Sequence, residues 1–153
     1  MNTKKNNLIA AALAALLMSG NAMAADSHTI TVNATVTGTC KFNAASSTLN
    51  LTLDPTASST VTQTASVLYR CTKGTAPSFA LASGSTGSAA GGNLVNGAES
   101  IPYTFSSASG GSGTGMAAGN DKTLSVSVSV NQANAANVTP AVYTDSITIT
   151  LTP

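Results

Sequence analysis

From Thr29 onward the side chains alternate in character with a period of two, and this constrains the chain more than any other feature. Residues 29–37 (TITVNATVT) set Ile30, Val32, Ala34 and Val36 on one face. Residues 49–53 set Leu49, Leu51 and Leu53 together, and residues 63–71 do the same for Ala65, Val67, Tyr69 and Cys71. Phe79 and Leu81 alternate, as do Ile101, Tyr103 and Phe105. Residues 124–130 (LSVSVSV) alternate without a fault, and residues 143–152 close with Ile147, Ile149 and Leu151. Successive side chains of an extended chain point to opposite faces, so this pattern predicts half-buried strands. The intervening Thr residues favour strands as well.

Seven such strands are the count expected of an antiparallel sandwich of immunoglobulin type. Between them, residues 83–92 (SGSTGSAAGG) and 106–120 (SSASGGSGTGMAAGN) are rich in Gly and Ser, and both are expected to be exposed, flexible loops. Neither has the GK[ST] or strand–GxGxxG–helix setting of a phosphate-binding loop.

The N-terminus has a separate character. Lys4 and Lys5 precede an eleven-residue apolar run at 8–18, and Ala22-Met23-Ala24 supplies small residues where a signal peptidase reads. Eleven residues of helix rise about 17 Å, too little for a hydrocarbon core about 30 Å thick. Residues 1–24 are therefore expected to be a secretory signal, with no membrane span in the mature chain. That mature chain would hold four basic and five acidic residues.

In an exported chain, two cysteines read as a disulfide, and Cys40 and Cys71 allow one intramolecular pairing.

Composition narrows the function. Charged residues are 7% of the chain, against roughly 25% in ordinary domains. Six Lys and Arg in no cluster argue against nucleic acid as a partner. One His, His28 near the mature N-terminus, argues against a Ser-His-Asp triad and against a metal site. Asp54, Glu99, Asp121 and Asp145 are the carboxylates open to glycosidase chemistry, and each reads as a turn or strand-edge residue. No catalytic residue, metal or cofactor is expected. Leu, Ile, Val and Phe number 25 among residues 25–153, a thin core that gains from outside help.

The two ends suggest what that help is. The last strand is expected to finish at Leu151 or Thr152 with its outer edge unpaired. The first candidate strand either folds onto its own sheet or is donated to a neighbour, where main-chain bonds give affinity and alternate side chains fill pockets. Reciprocal donation is heterologous and builds filaments. The alternation alone leaves both readings open.

Four stretches carry a resemblance. Residues 36–40 (VTGTC), 69–74 (YRCTKG), 101–105 (IPYTF) and 139–150 (TPAVYTDSITIT) are similar to the corresponding stretches of the spore coat protein U domain family, which includes subunits of archaic chaperone–usher pili. The likeness spans the mature chain, and 139–150 is its most specific part.

The resemblance implies an all-β, incomplete immunoglobulin-like antiparallel sandwich with one disulfide, completed by a partner's donor strand. It implies a donor segment at 25–37 carrying Ile30, Val32, Ala34 and Val36, and a pilin domain at 38–153 stapled by Cys40 and Cys71. Tyr143, Ile147, Ile149 and Leu151 would line the acceptor groove. The implied partners are a periplasmic chaperone, an outer-membrane usher and neighbouring subunits. The implied destination, through the periplasm, is a cell-surface fimbria serving adhesion and biofilm formation. The competing expectation is a secreted, monomeric or coat-forming protein of the same fold.

Overall fold

A computed structural model describes residues 25–153, so the export signal expected over 1–24 lies outside the described residues. The chain divides into two units, Met1–Thr35 and Val36–Pro153. In the first, residues 25–35 carry no helix or strand and are exposed throughout. The strand expected over 29–37 is thus absent. An apolar stripe gains by forming a strand only when a sheet receives it, and Ile30 and Val32 stay 75% and 85% exposed.

The second unit holds seven strands. They are β1 (Cys40–Phe42), β2 (Thr60–Cys71), β3 (Ser78–Ser83), β4 (Gly91–Asn96), β5 (Glu99–Ser109), β6 (Lys122–Asn131) and β7 (Ile147–Thr152). A 3₁₀ turn, Gln132–Ala135, follows β6. Five strands form one antiparallel sheet in the order β1-β2-β6-β5-β4, and β3 and β7 form a second. This is an incomplete immunoglobulin-like sandwich of the predicted class. An immunoglobulin domain sets strands B, E and D in one sheet and C, F and G in the other. Here β2, β6 and β5 occupy the places of B, E and D, and β3 and β7 those of C and F.

The alternation does what the sequence suggests along β6. Leu124, Val126, Val128 and Val130 are buried between the sheets. The intervening serines face outward, where Ser129 and Ser127 pair with Thr62 and Thr64 of β2 at 2.7 and 2.8 Å. Two apolar clusters form the core. One centres on Ile101, Tyr103, Phe105, Val128 and Val130, the other on Tyr69, Cys71, Leu124 and Val126. Tyr69 of the larger sheet meets Phe79 of the smaller edge to face, with centroids 4.9 Å apart.

Cys40 and Cys71 form the disulfide, 31 residues apart in sequence, joining neighbouring β1 and β2. Replacing both by Ser is expected to lower stability by roughly 3–4 kcal/mol, from the loop-closure entropy returned to the unfolded chain. Denaturant titration measures this loss. Accumulation should fall with it.

Three further differences from the sequence reading have physical reasons. Residues 49–53 bury Leu49, Leu51 and Leu53 in alternation, yet they form no strand because their backbone has no ladder partner. The strand expected over 143–152 starts only at Ile147, after an isolated bridge between Thr144 and Val95. The Gly/Ser-rich stretches contain strand: β4 begins at Gly91, and β5 runs on to Ser109. Residues 110–115 are not loose either. Gly74 N–H donates to Gly113 O (2.9 Å), Gly113 N–H to Thr75 O (2.8 Å) and Tyr69 Oη to Gly111 O (2.7 Å). A Cβ at Gly113 would lie 2.4 Å from Cys71 O, so this approach needs glycine.

Candidate functional site

The smaller sheet has only two strands, and β3 takes one edge of β7. Among the described residues no strand pairs with the other edge. In the immunoglobulin plan that edge belongs to strand G, placed beside F. Tyr143 supports the assignment of β7 to the F position. Its hydroxyl lies 2.9 Å from Thr139 O, four residues upstream. This is the tyrosine corner that marks the approach to strand F.

Where strand G would lie, an open groove of about 1270 Å³ runs between the sheets. Its floor is built by Val67 of β2, Val126 and Val128 of β6, and Ile101 and Tyr103 of β5. Ile147 and Ile149 of β7 form one wall, continued by the residues around Tyr143. Leu49, Leu51 and Leu53, which pack against the core cluster of Ile101, Tyr103 and Val128, line it as well. The groove is long, largely apolar, and bounded on one side by the free backbone edge of a strand. Such a site takes an extended segment with alternating apolar side chains.

Tyr143, Ile147 and Ile149 therefore all border the groove. Leu151 shares their face of β7 but packs at the disulfide end, against the cluster of Tyr69, Cys71, Leu124 and Val126. Ile30, Val32, Ala34 and Val36 are all exposed. The sequence reading placed Leu49, Leu51 and Leu53 in a strand and did not assign them to a groove wall. Their alternation was visible, but their lack of a backbone partner was not.

Carboxylates fix the approach to β7. Glu99, at the start of β5, accepts from Thr139 N–H and Oγ1 at 3.0 Å each and lies 2.5 Å from Tyr143 Oη. The single phenolic proton is shared between Glu99 and Thr139 O. The bond from Tyr143, with those from Thr139, holds the Glu99 carboxyl below its ordinary range. The same bond pushes the Tyr143 phenol up to about 12.

Asp145 lies deeper. Its Oδ2 accepts from Ser83 and Ser85 at 2.7 Å each and from Tyr103 Oη at 2.8 Å, and Oδ1 accepts from Ser146 N–H at 2.8 Å. Burial pushes this carboxyl up, but the four hydrogen bonds outweigh it and hold Asp145 below its usual range. Burial raises the Tyr103 phenol.

The other two carboxylates have plain structural partners. Asp54 accepts from Thr56 in a turn. Asp121 pairs with Arg70, whose bond lowers the Asp121 carboxyl. Among the described residues no three His, Cys, Asp or Glu gather as metal ligands would, and no helix is long and apolar enough to cross a membrane.

Residues 26–150 match the family model of the spore coat protein U domain. No curated protein and no solved structure matches the chain significantly. The family match spans the sandwich, the groove and the exposed segment before Cys40, and on it the chain belongs to the spore coat protein U domain family, whose members are structural coat and pilus domains of exported or surface proteins rather than enzymes.

Proposed function

We propose that this protein is the structural subunit of a surface pilus, assembled by donor-strand complementation along a chaperone–usher route. The observation that carries the reading is the open apolar groove beside the free edge of β7. The exposed stripe of Ile30, Val32, Ala34 and Val36 is the matching part. Each subunit would receive its neighbour's stripe into its groove and offer its own to the next. That contact is heterologous and non-closing, so it propagates as a filament. A periplasmic chaperone would fill the groove until an outer-membrane usher exchanges it for the incoming subunit. The finished fimbria would serve adhesion and biofilm formation. The disulfide stabilises the subunit during transit.

An unfilled groove leaves apolar surface and an unpaired strand edge in water, and both favour association. The mature chain produced alone in a periplasm is therefore expected to be degraded or to self-associate. Co-production of a cognate chaperone should yield a stable one-to-one complex. Size-exclusion chromatography with light scattering distinguishes the outcomes. A stable, unpartnered monomer would overturn the pilus reading in favour of a secreted protein that completes its own sheet or acts in a coat.

A further inference from the structure

The charged side chains of the second unit are sorted by position. Its four cations lie at the disulfide end of the sandwich. Lys41 stands opposite Arg70 on the β1–β2 ladder, Lys122 opposite Tyr69 on the β2–β6 ladder, and Lys73 in the turn after β2. Asp121, paired with Arg70, is the one acidic side chain among them. The other three carboxylates lie at the opposite end. Asp54 N–H donates to Gln132, just past β6, at 2.8 Å. Thr104 of β5 stands opposite Ser129, so Glu99, five residues earlier, lies toward and beyond Asn131. Asp145 accepts from Tyr103, beside Thr104, at 2.8 Å. The length of β6 from Lys122 to Asn131 separates the two ends by about 30 Å. One end thus carries a net side-chain charge of three positive and the other three negative. Lys41, Lys73 and Asp54 are exposed, and Glu99 and Asp145 are half-buried.

We infer that the cationic end of one copy docks against the carboxylate end of the next, as a charged contact between sandwich bodies outside the groove. The inference rests on the donor-strand reading above and adds a second surface to it. Residues 38–40 run beside Thr72 and Thr75, and Thr39 N–H donates to Thr72 Oγ1 at 2.7 Å, so the root of the donor segment is at the cationic end. The groove reaches the carboxylate end at Tyr143, whose hydroxyl is bonded to Glu99, and Asp145 lines it there. Every strand ladder among the described residues is antiparallel. A donor paired with β7 in the same way has Val36 beside the start of β7, at the acceptor's carboxylate end. From Val36 to Cys40 an extended chain reaches at most about 14 Å. The two charged ends are then held about as close as the screening length, about 10 Å at 0.1 M salt. Insertion in the opposite direction would bring two cationic ends together. Complementary charge of this kind speeds encounter and selects orientation.

The test is the rate at which an immobilised acceptor captures donors. The acceptor is the mature chain carrying Ile30→Asp and Val32→Asp, so that it cannot donate. The donors are the freshly refolded wild-type mature chain, the same chain with Lys41→Glu and Lys73→Glu, and a capped peptide of residues 27–38, which holds no Lys, Arg, Asp or Glu. At about 20 mM salt the double variant is expected to be captured about tenfold more slowly than wild type. The two rates should converge at about 0.5 M salt, while the rate for the peptide stays the same at both. Equal rates for the two chains at low salt, with the peptide captured, would overturn the charged docking and leave the donor-strand reading standing. A peptide that is not captured would sink the donor-strand reading, and this inference with it.

Discussion

On the pilus reading, replacing Ile30 and Val32 together by Asp is expected to abolish filaments while a chaperone-bound subunit still accumulates. In the proposed polymer both side chains leave water for a groove lined by Val126, Val128, Ile147, Ile149 and the leucines of 49–53. Burying an Ile or a Val contributes about 1.5–3 kcal/mol each. The substituted carboxylates lose that and add the cost of placing an unpaired charge or a neutralised acid in apolar surroundings, several kcal/mol more. At about 1.4 kcal/mol per factor of ten, the subunit–subunit contact weakens by orders of magnitude. The acceptor groove is untouched, because both substitutions lie in an exposed segment that contributes no side chain to the core. On that reading chaperone capture is expected to survive. Electron microscopy of surface filaments, with chromatography of the periplasmic complex, separates the two effects. Filaments of normal length from this double variant would rule out residues 29–36 as the donor.

The parts of the fold legible in the sequence were those where one observable, alternation, coincides with one cause, a buried sheet face. In β6 every second residue is apolar and buried, and the serines between them face outward, so pattern and structure agree. Residues 49–53 show the limit of the same signal. Alternation reports that one face is buried, and says nothing of whether the backbone has a partner. The Gly91–Asn96 strand was hidden for the opposite reason. Its sequence, GGNLVN, has no period, and its place is set by antiparallel register with β5 and by the Val95–Thr144 bridge. The groove was half legible: the family resemblance pointed to Tyr143, Ile147 and Ile149, whereas Leu49, Leu51 and Leu53 reach it from about a hundred residues earlier in the chain. Carboxylate partners were the least legible. Asp145 collects hydroxyls from Ser83 and Tyr103, which lie 62 and 42 residues away, and no local motif encodes such a meeting.

That meeting sets the second large effect. Asp145→Ala is expected to destabilise the subunit by about 2–4 kcal/mol and to lower its capacity to receive a donor. Ser83 is 2% exposed and Tyr103 5% exposed, so both hydroxyls would lose their carboxylate partner where water reaches them poorly. Hydrogen bonds to charged groups contribute about 1.5–3 kcal/mol, and a stranded buried donor costs about 1–3 kcal/mol. The cluster also ties β3 of the small sheet to β5 of the large one at the entry to β7, so its loss loosens the wall of the groove. Space there is tight: a Cβ at Gly92 would lie 2.0 Å from Ser83 Oγ and 2.8 Å from Asp145 Oδ2, and Gly92→Ala should destabilise through overpacking at the same point.

The pH dependence has a definite sign. The folded Asp145 carboxyl is held below the usual value, so the folded state favours its charged form. Its stabilisation is full above the unfolded value of about 3.9 and is lost as pH falls through the lower folded value. Urea midpoints of the wild-type and Asp145→Asn subunits should therefore differ at pH 7, begin to approach each other below about pH 4, and converge only below the lowered folded value, where the folded wild type becomes neutral too. Glu99 and Asp121 are also held low and titrate in that range in both proteins, so the difference between the two proteins isolates Asp145. A difference that stayed constant from pH 7 to pH 3 would mean that Asp145 acts through its shape alone, and that its charge does not hold the entry to β7.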